Sequence, residues 1–309
     1  MEINTILSGD VRSVLPALGD NSIDCCITSP PYWGLRDYGH TEQIGLEKTP
    51  FEYIKNLLVV FLEVFRILKP TGTLWLNLGD SYIGGGRAGK SGHAATNGIE
   101  QFRIDRGLNY GQPTGKIEGL KPKDLAGIPW RVAFALQMAG YYLRQDIIWN
   151  KPNPMPESVT DRCTKSHEYM FLFSKGRKYY FDYKAIQTDT KGNEWDKRAR
   201  IGRKCFPTDK INGIRATGYY PKANKRSVWT VNNRPYHAAH FATYPPELII
   251  DCIKAGCPQN GIILDPFFGA GTTGVVARKL GRNFIGVEIN PAYVKIAEAR
   301  LQQELGIFL

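Results

Sequence analysis

The stretch DPFFGAGTTG, residues 265–274, decides the fold of this 309-residue chain. It stands between a short apolar run with strand character and a helix-like pattern. Gly269, Gly271 and Gly274 match G-x-G-x-x-G in the strand-to-helix setting that the motif requires, because glycines permit a tight turn and a close approach of backbone to a ligand. The next strand pattern ends at Glu288, where a carboxylate can hold ribose hydroxyls. The stretch predicts a nucleoside cofactor, and both a nicotinamide dinucleotide and S-adenosylmethionine fit this geometry.

Strand-like and helix-like patterns alternate along the rest of the chain, which predicts an α/β fold with a largely parallel sheet and helices on both faces. The predicted strands are residues 3–7, 22–28, 73–78, 142–149, 167–174, 177–181, 262–264 and 284–287. The predicted helices are residues 11–18, 51–68, 124–140, 246–255, 272–280 and 291–305. The strands at 167–174 and 177–181 are close enough to form a hairpin. The length suffices for one large domain with a substantial insertion.

The start of the sequence and its cysteines indicate a soluble cytoplasmic protein without a metal site. Residues 1–10 lack the basic and apolar regions of a signal peptide, and the apolar stretch 57–68 is interrupted by charges. The six cysteines include no Cys-x-x-Cys pair, so reduced and mostly buried thiols are expected. His237 and His240 have no further ligand nearby in sequence, so no metal is expected.

Residues 175–230 hold most of the surplus positive charge. This segment carries 15 Lys or Arg and 5 Asp or Glu, out of 40 and 29 in the whole chain. Aromatic residues are interleaved with the cations, namely Tyr179, Tyr180, Phe181, Trp195, Phe206, Tyr219 and Tyr220. Basic side chains mixed with aromatics suit a polyanion with stackable bases better than a plain solvated surface. The segment therefore predicts nucleic-acid binding.

Residues 83–122 are rich in Gly, Asn and charge and show little periodicity. They predict a long loop that is mobile without a ligand. Within them, GGGRAGKS at 84–91 matches the phosphate-loop pattern G-x-x-x-x-G-K-S. No apolar helix follows it to aim an N-terminus at a phosphate, so a flexible glycine-rich loop is preferred to an ATP site.

TSPPYWG, residues 28–34, ends the second predicted strand in an unusual way. A central strand cannot continue through Pro30 and Pro31, since neither proline can donate to the ladder. An aromatic pair, Tyr32 and Trp33, follows where a polar turn is expected. The alternatives are a catalytic turn and a turn that only caps the strand.

On these residues the chain resembles the amino-methylating DNA methyltransferases that use S-adenosylmethionine. TSPPYW is similar to their catalytic motif, in which Asp, Asn or Ser precedes Pro-Pro and an aromatic residue; the Ser form followed by Trp is typical of members acting on cytosine N4. DPFFGAGTTG looks like their F-x-G-x-G cofactor loop, and residues 149–175 and 240–249 also resemble blocks of that family. The resemblance covers nearly the whole chain.

The order of these blocks is that of the group called β, with the catalytic motif first, the basic segment next and the cofactor loop last. The resemblance implies a Rossmann-like, doubly wound, mostly parallel methyltransferase sheet that is circularly permuted and carries an inserted basic target-recognition region. It divides the chain into a catalytic and cofactor-binding domain at 1–181 and 231–309, a recognition region at 182–230 and a mobile loop at 83–122. Double-stranded DNA is the implied substrate, a cognate restriction endonuclease a genetic partner, and the protein a monomer or homodimer.

The chemistry of an exocyclic amine explains the strand ending. The amine of cytosine is a poor nucleophile because its lone pair is delocalised into the ring, so two acceptors are wanted beside its two N–H groups. Ser29 Oγ can supply one and the Pro30 carbonyl the other, because proline restricts the backbone. Tyr32 can stack on a base swung out of the duplex. Transfer is then a direct displacement that needs no covalent intermediate, in keeping with the absence of a Pro-Cys pair.

The resemblance implies three sets of site residues. The catalytic set is Ser29, Pro30, Pro31 and Tyr32. The cofactor-binding set is Asp10, Phe241, Thr243, Asp265, Pro266, Phe267, Phe268, Gly269, Gly271, Thr272, Thr273, Glu288 and Ile289. The DNA-binding set is Trp33, Arg36, Lys197, Arg198, Arg200, Arg203, Lys204, Arg215, Lys225 and Arg226.

Within the cofactor set, the resemblance places Asp10 near the adenine amino group and Glu288 at the ribose. Asp265 and residues 269–273 would face the methionine part and the adenosine, and residues 241–244 the amino-acid end. Ala270 stands where many relatives have Ser, so a hydroxyl contact is lost there.

Other functions remain open at this point. Adenine N6 methylation on the same fold is the nearest alternative, and methylation of RNA or of a protein glutamine fits the basic insertion less well. A nicotinamide-dependent oxidoreductase explains the glycine loop and Glu288 but leaves Ser-Pro-Pro-Tyr-Trp unexplained, and only 21 residues follow Glu288. A DNA-binding protein without catalysis would bind cofactor and move no methyl group.

Overall fold

The structure is a computed structural model that describes residues 2–35, 37–84, 117–189, 210–211, 214–215, 222–233 and 244–306. Its strands are β1 Thr5–Ser8, β2 Ile23–Thr28, β3 Leu68–Leu78, β4 Tyr142–Asn150, β5 His167–Ser174, β6 Thr188–Asp189, β7 Lys210–Ile211, β8 Ile214–Arg215, β9 Lys222–Ala223, β10 Val228–Thr230, β11 Ile262–Asp265 and β12 Asn283–Glu288. Its α-helices are α1 Val11–Val14, α2 Pro50–Ile67, α3 Ile128–Met138, α4 Pro246–Gly256, α5 Thr272–Lys279 and α6 Pro291–Leu305, and short 3-10 helices cover Leu15–Ala17 and Tyr183–Ile186. No helix within these ranges combines the length and apolarity needed to cross a membrane.

A single sheet of eight described strands organises the molecule, in the order β1-β12-β11-β2-β3-β5-β4-β10. All neighbours are parallel except β5, which is antiparallel to both β3 and β4. The strands β1, β12, β11, β2, β3 and β4 therefore end on one side, where β5 begins; we call this side the carboxyl edge. Chain order reverses between β11 and β2, and such a switch point is where open α/β sheets bind ligands.

Apolar side chains fill both faces of the sheet, which confirms the predicted doubly wound α/β architecture. One buried cluster includes residues of α1, α2 and α3, and the other includes residues of α4, α5 and α6. The central strand β2 contributes to both clusters, since Cys26 joins the first and Cys25 and Ile27 the second. A strand buried on both faces is mostly apolar, and in β2 only Asp24 and Thr28 are polar.

Helix α2 shows how local sequence signals place an element. The Thr49 side chain accepts from the Glu52 backbone N–H, and the Glu52 side chain accepts from the Thr49 backbone N–H, forming a capping box. Pro50 occupies the first turn, where its missing N–H has no cost. The helix ends at Ile67, and β3 begins at once.

Strand β3 starts five residues earlier than residue 73, where the sequence pattern begins it. Its pairing with β2 passes from Ile23–Leu68 to Cys25–Thr73, so residues 69–72 form an irregular excursion. A proline cannot donate to a ladder and is tolerated in such a bulge, which accounts for Pro70 inside the strand. The Lys-Pro-Thr-Gly stretch, residues 69–72, therefore follows the end of the helix but lies within β3 and not before it.

The predicted strand at residues 177–181 is wrong. Strand β5 is already paired on both sides, with β3 and β4, so a hairpin partner has no free edge to join. The segment instead runs past the β3 bulge, where the Tyr180 backbone N–H donates to the Thr71 carbonyl at 2.9 Å.

Part of the predicted recognition region belongs to the central sheet. Strand β10 pairs with β4, and Trp229 is buried, with its ring N–H donating to the Arg226 carbonyl at 2.8 Å. Two small antiparallel ladders, β6 with β9 and β7 with β8, lie outside that sheet. The remaining residues between 190 and 221, and most of the predicted loop at 83–122 with its glycine pattern, lie outside the described residues.

Candidate active site

The cofactor loop between β11 and α5 depends on glycine geometry. Gly269 and Gly271 have φ values of +52° and +76°, a left-handed region that favours glycine. The Gly271 N–H donates to the Phe268 carbonyl at 3.0 Å, and the Phe268 N–H donates to the Val287 carbonyl at 2.9 Å. The turn is therefore tied to both its own residues and the neighbouring strand.

Phe268 explains the third glycine of the motif. Its ring is 3% exposed and stacks on Phe284, with ring centroids 5.4 Å apart. A Cβ added at Gly274 would lie 2.7 Å from this ring, and one added at Gly286 would lie 2.4 Å from it. The Phe268 side chain therefore packs the loop against the sheet, and its contact with the cofactor stays a prediction.

The space in front of Gly269 is open. A Cβ added there would meet no heavy atom within 4 Å. The Gly269 N–H donates to Glu288 Oε2 at 2.8 Å, and the Asn290 N–H donates to Glu288 Oε1 at 2.9 Å. A carboxylate accepts about four hydrogen bonds, so Glu288 keeps acceptor capacity beyond these two. Burial raises the pKa of Glu288, and hydrogen bonds from the backbone N–H groups of Asn290, Gly269 and Ile289 oppose that rise.

The Asp265 carboxylate is buried and accepts hydrogen bonds from other residues of the protein. It is 2% exposed and accepts four hydrogen bonds, from the Thr28, Thr273 and Tyr244 hydroxyls and from the Phe267 N–H. Burial raises its pKa to about 6 against the effect of these donors. These bonds hold the end of β11 against β2, and the contact of Asp265 with the methionine part stays a prediction.

Asp10 lies at the end of β1 and begins α1. Its carboxylate accepts from the Arg12 backbone N–H at 2.8 Å and from Arg12 Nε at 3.0 Å. Burial raises the pKa of Asp10, but the hydrogen bonds from Arg12 outweigh burial and hold that pKa below its usual value. The same guanidinium donates to the Glu42 carbonyl at 2.8 Å. The contact of Asp10 with adenine stays a prediction, and it would have to share this carboxylate with Arg12.

Other predicted cofactor residues surround the loop. Pro266, Thr272 and Thr273 are buried, whereas Phe267 and Ile289 are partly exposed at the carboxyl edge. Phe241 and Thr243 lie outside the described residues.

The predicted catalytic turn follows β2, the strand that pairs with β11. The Tyr53 hydroxyl donates to the Pro31 carbonyl at 2.7 Å, so helix α2 holds the turn in place. No donor among the described residues reaches the Pro30 carbonyl. Ser29 is partly exposed, and its hydroxyl has Tyr32 as hydrogen-bond partner. Among the described residues, Ser29 Oγ and the carbonyl of the buried Pro30 thus accept no hydrogen bond, and both follow the strand that pairs with β11.

Tyr32 is held at both its ring and its hydroxyl. A Cβ added at Gly79 would lie 2.6 Å from the ring, so the ring closes directly on the end of β3. The hydroxyl donates to Glu168 Oε2 at 2.7 Å and lies 3.1 Å from Asn77 Oδ1. Ser29 Oγ donates to the same hydroxyl at 3.4 Å. Burial raises the pKa of Tyr32 well above its usual value, so the phenol stays protonated.

Glu168, the second residue of β5, joins this group at the carboxyl edge. Its Oε1 forms an ion pair with Lys151, which follows β4, and its Oε2 also accepts from Asn77 Nδ2 at 3.2 Å. The side chains of Lys151 and Glu168 are only 15% and 16% exposed. We call Tyr32, Asn77, Lys151 and Glu168 the edge network.

Sequence reasoning missed the supporting residues of the catalytic turn. Lys151 and Glu168 lie in the block at 149–175 that resembles the family, but no role followed from that resemblance. Tyr53 has the spacing of an ordinary core residue in α2, and Asn77 that of a strand residue. Only the antiparallel insertion of β5 between β3 and β4 brings the network together.

The predicted DNA-binding residues fall into two groups. Arg36, Lys197, Arg198, Arg200, Arg203 and Lys204 lie outside the described residues, and Arg215 is described only as backbone in β8. Trp33 is 1% exposed, and its ring N–H donates to the Glu47 carbonyl at 2.9 Å, so the ring packs in the core and its DNA contact stays a prediction. Lys225 pairs with Asp251, and Arg226 is exposed.

Within the described ranges, no group of three or more His, Cys, Asp or Glu residues could hold a metal ion. Cys163 is exposed, and Cys25, Cys26, Cys252 and Cys257 are buried free thiols. Cys205, His237 and His240 lie outside the described residues.

Comparison with known proteins gives consistent results. Residues 23–299 match the family model described as DNA methylase. The Type II methyltransferase M.SmaI of Serratia marcescens is 46% identical over 296 residues, which are 96% of this chain and 90% of that protein. PvuII DNA methyltransferase, described as cytosine-N4-specific, has a TM-score of 0.62 at 18% identity and covers 95% of this chain and 84% of its own. The M1.HpyAVI–SAM complex has a TM-score of 0.53 at 17% identity and covers 96% of this chain and 98% of its own.

Proposed function

This chain belongs to the DNA methylase family, and we propose that it is a site-specific DNA methyltransferase acting on the exocyclic N4 amine of cytosine. Its cofactor is S-adenosylmethionine, which supplies, when bound, a methyl group carried by a sulfonium sulfur. The observation that carries the proposal is the pair of available acceptors at Ser29 and Pro30 beside the glycine loop.

The cofactor half of the site is formed by the β11 and β12 ends. The open space at Gly269 receives the nucleoside, and Glu288 accepts from the ribose hydroxyls. The left-handed turn at Gly271 aims the start of α5 at this space. The backbone N–H groups of Gly269 and Asn290 hold the Glu288 carboxylate in position for this role.

The amine half is formed by the β2 end. Ser29 Oγ and the Pro30 carbonyl accept the two N–H groups of the target amine and favour a tetrahedral nitrogen, whose lone pair then points away from the ring system. The turn that carries both acceptors is positioned before the reaction by the Tyr53 hydrogen bond to the Pro31 carbonyl. Preorganised polar groups of this kind lower the barrier of the displacement.

The target base must leave the duplex to reach these acceptors. Tyr32, held over Gly79, presents its ring for stacking on that base. The Ser form of the catalytic motif favours cytosine over adenine, by its resemblance to the members of the family that act on N4.

The basic residues between 182 and 230 serve as the target-recognition region. Their 10 Lys and Arg between Lys184 and Lys222 suit the phosphate backbone, and side chains of this region that reach base edges set the specificity. A restriction endonuclease with the same recognition sequence is the expected genetic partner, and the cytoplasm, where DNA is accessible, is the expected location. The protein acts as a monomer or homodimer.

Nucleoside analysis of methylated DNA tests this function. The purified protein is incubated with unmethylated genomic DNA and S-adenosylmethionine labelled on its methyl group, and the DNA is digested to nucleosides. We expect the label on N4-methylcytosine. A label on N6-methyladenine would retain the mechanism and overturn the choice of base, and an unlabelled DNA with intact cofactor binding would overturn the enzyme assignment.

A further inference from the structure

We propose that Glu168 receives the proton that the target amine loses, through a relay of the Ser29 and Tyr32 hydroxyls. The inference rests on the proposed function and adds a proton acceptor to it. Glu168 belongs to no site set that the sequence motifs predict. Its place at the start of β5, beside the end of β3, brings it to the catalytic turn.

The relay is a continuous row of hydrogen bonds with one direction. Ser29 Oγ donates to the Tyr32 hydroxyl at 3.4 Å, and that hydroxyl donates to Glu168 Oε2 at 2.7 Å. The length of the second link is normal for a hydrogen bond from a hydroxyl to a carboxylate. The first link is loose, and it must tighten when a substrate amine donates to Ser29, in the way that catalytic hydrogen bonds tighten in a complex.

The proton balance of the reaction requires such an acceptor. As the nitrogen–carbon bond forms and the sulfur–carbon bond breaks, the positive charge of the sulfonium passes to the amine nitrogen. The amine then gives one proton to Ser29 Oγ, Ser29 gives its own to the Tyr32 oxygen, and Tyr32 gives its own to Glu168 Oε2. Ser29 and Tyr32 end unchanged, and Glu168 ends as a neutral acid. Its 16% exposure allows the proton to pass to water before the next cycle.

Two cations, Lys151 and Lys165, lie near the Glu168 carboxylate. Lys151 forms an ion pair with Oε1, and this pair leaves Oε2 to face Tyr32. Lys165 adds a second cation nearby, although burial lowers its own pKa. His167 is the remaining titratable neighbour, and burial together with Lys165 lowers its pKa below the usual value.

Asn77 supports the acceptor without replacing it. Its Nδ2 donates to Glu168 Oε2 at 3.2 Å and to the Tyr169 carbonyl at 3.0 Å, which fixes the amide. Its Oδ1 lies 3.1 Å from the Tyr32 hydroxyl, farther than the carboxylate oxygen. A neutral amide oxygen cannot hold a transferred proton at neutral pH, so the carboxylate is the end of the relay.

Two conservative variants interrupt the relay at different points. Glu168→Gln keeps the shape of the acceptor but removes its charge, and Tyr32→Phe keeps the stacking ring but removes the hydroxyl. Each should lower the single-turnover rate of methyl transfer by about 10²-fold, the lower range for a general base. The double variant should be no slower than either single one, because one broken link stops the whole relay.

Matched controls separate the relay from stability. Tyr141→Phe removes a buried hydroxyl that donates to the Phe61 carbonyl away from the site, and Glu157→Gln removes a carboxylate paired with Arg162. Both controls should keep the wild-type rate. Cofactor affinity should be unchanged in all four single variants, since Gly269 and Glu288 are untouched.

The pH profile of the single-turnover rate distinguishes a proton relay through Glu168 from a purely structural role of this residue. The wild-type rate should rise with pH and then level off, and this rise should be absent from Glu168→Gln and Tyr32→Phe but present in a His167→Asn variant. The relay would be overturned if the single-turnover rate of Glu168→Gln still rose with pH. It would also be overturned if the rate of that variant stayed within threefold of the wild-type rate. An inactive wild type would overturn the proposed function and the relay with it, whereas an active wild type with a normal Glu168→Gln would overturn the relay alone.

Discussion

Two glutamates at the carboxyl edge are held in different ways. Glu288 accepts from the backbone N–H groups of Gly269 and Asn290, whereas Glu168 is held by the side chains of Tyr32, Asn77 and Lys151. The cofactor half of the site is therefore built from main chain, and its geometry depends on glycine dihedral angles. The amine half is built from side chains, so single functional groups control it.

Gly271→Asp should have the largest effect on the cofactor half. The residue has φ of +76°, and a Cβ would lie 3.1 Å from that of Ala297 and 3.3 Å from the Phe268 ring. Both strain and overlap displace the turn, so cofactor affinity should fall by at least about 100-fold, or roughly 3 kcal/mol. Isothermal titration with S-adenosylmethionine measures this change.

Gly269→Ala sharpens the same test. Its φ of +52° adds strain of about 1–2 kcal/mol, but the new Cβ meets no protein atom within 4 Å. The melting temperature should therefore fall less than in Gly271→Asp, while cofactor affinity still drops because the methyl group enters the open space. Normal cofactor affinity in both variants would contradict the assignment of this loop.

Asp265→Asn should change how stability depends on pH. Burial raises the pKa of Asp265 from 3.8 to about 6, so the folded protein holds a proton that the unfolded chain releases. The free energy of unfolding should therefore fall as pH rises from about 4 to 6, by up to about 3 kcal/mol for this residue. Urea unfolding at several pH values should show that fall in the wild type and not in the variant.

An amide is tolerated at this position because the Thr273 and Tyr244 hydroxyls can turn and accept from it. Asp20→Asn, at an aspartate with a 68% exposed side chain, is the control and should keep the wild-type slope. The same slope in Asp265→Asn and the wild type would show that Asp265 is not the buried acid.

Tyr53→Phe should have the smallest effect on the rate of methyl transfer. It tests whether α2 positions the catalytic turn of the amine half. The hydroxyl that it removes holds the Pro31 carbonyl. Loss of one buried hydrogen bond costs about 1 kcal/mol of stability, and the looser turn should slow single-turnover transfer several-fold. Tyr141→Phe loses a comparable hydroxyl away from the site and should show the stability loss without the slower rate. Equal rates in the two variants would remove Tyr53 from the positioning of the turn.

The same division explains how much the sequence could predict. The glycine turn, Glu288 and the strand end at residues 28–34 are local features, because each is formed by residues close in sequence. Their place at one edge of a parallel sheet follows from the alternation of strands and helices, and the structure confirms that sheet.

Contacts between distant segments could not be predicted in this way. The hydrogen bond from Thr28 to Asp265 joins residues 237 positions apart in the sequence, and the hydrogen bond from Tyr32 to Glu168 joins residues 136 positions apart. Trp33 is an aromatic residue of the type expected to contact DNA, yet tertiary packing buries it. Pattern reading assigns residue types to a strand end, but only packing decides which of them face a ligand and which face the core.

The most direct test of the account is Ser29→Ala, measured for two quantities in one preparation. Single-turnover transfer to cytosine should fall by about 10²–10³-fold, the loss typical of one preorganised polar group. The dissociation constant for S-adenosylmethionine should stay at the wild-type value, since Ser29 belongs to the amine half. Full turnover by this variant would contradict the catalytic assignment of the Ser-Pro-Pro-Tyr turn.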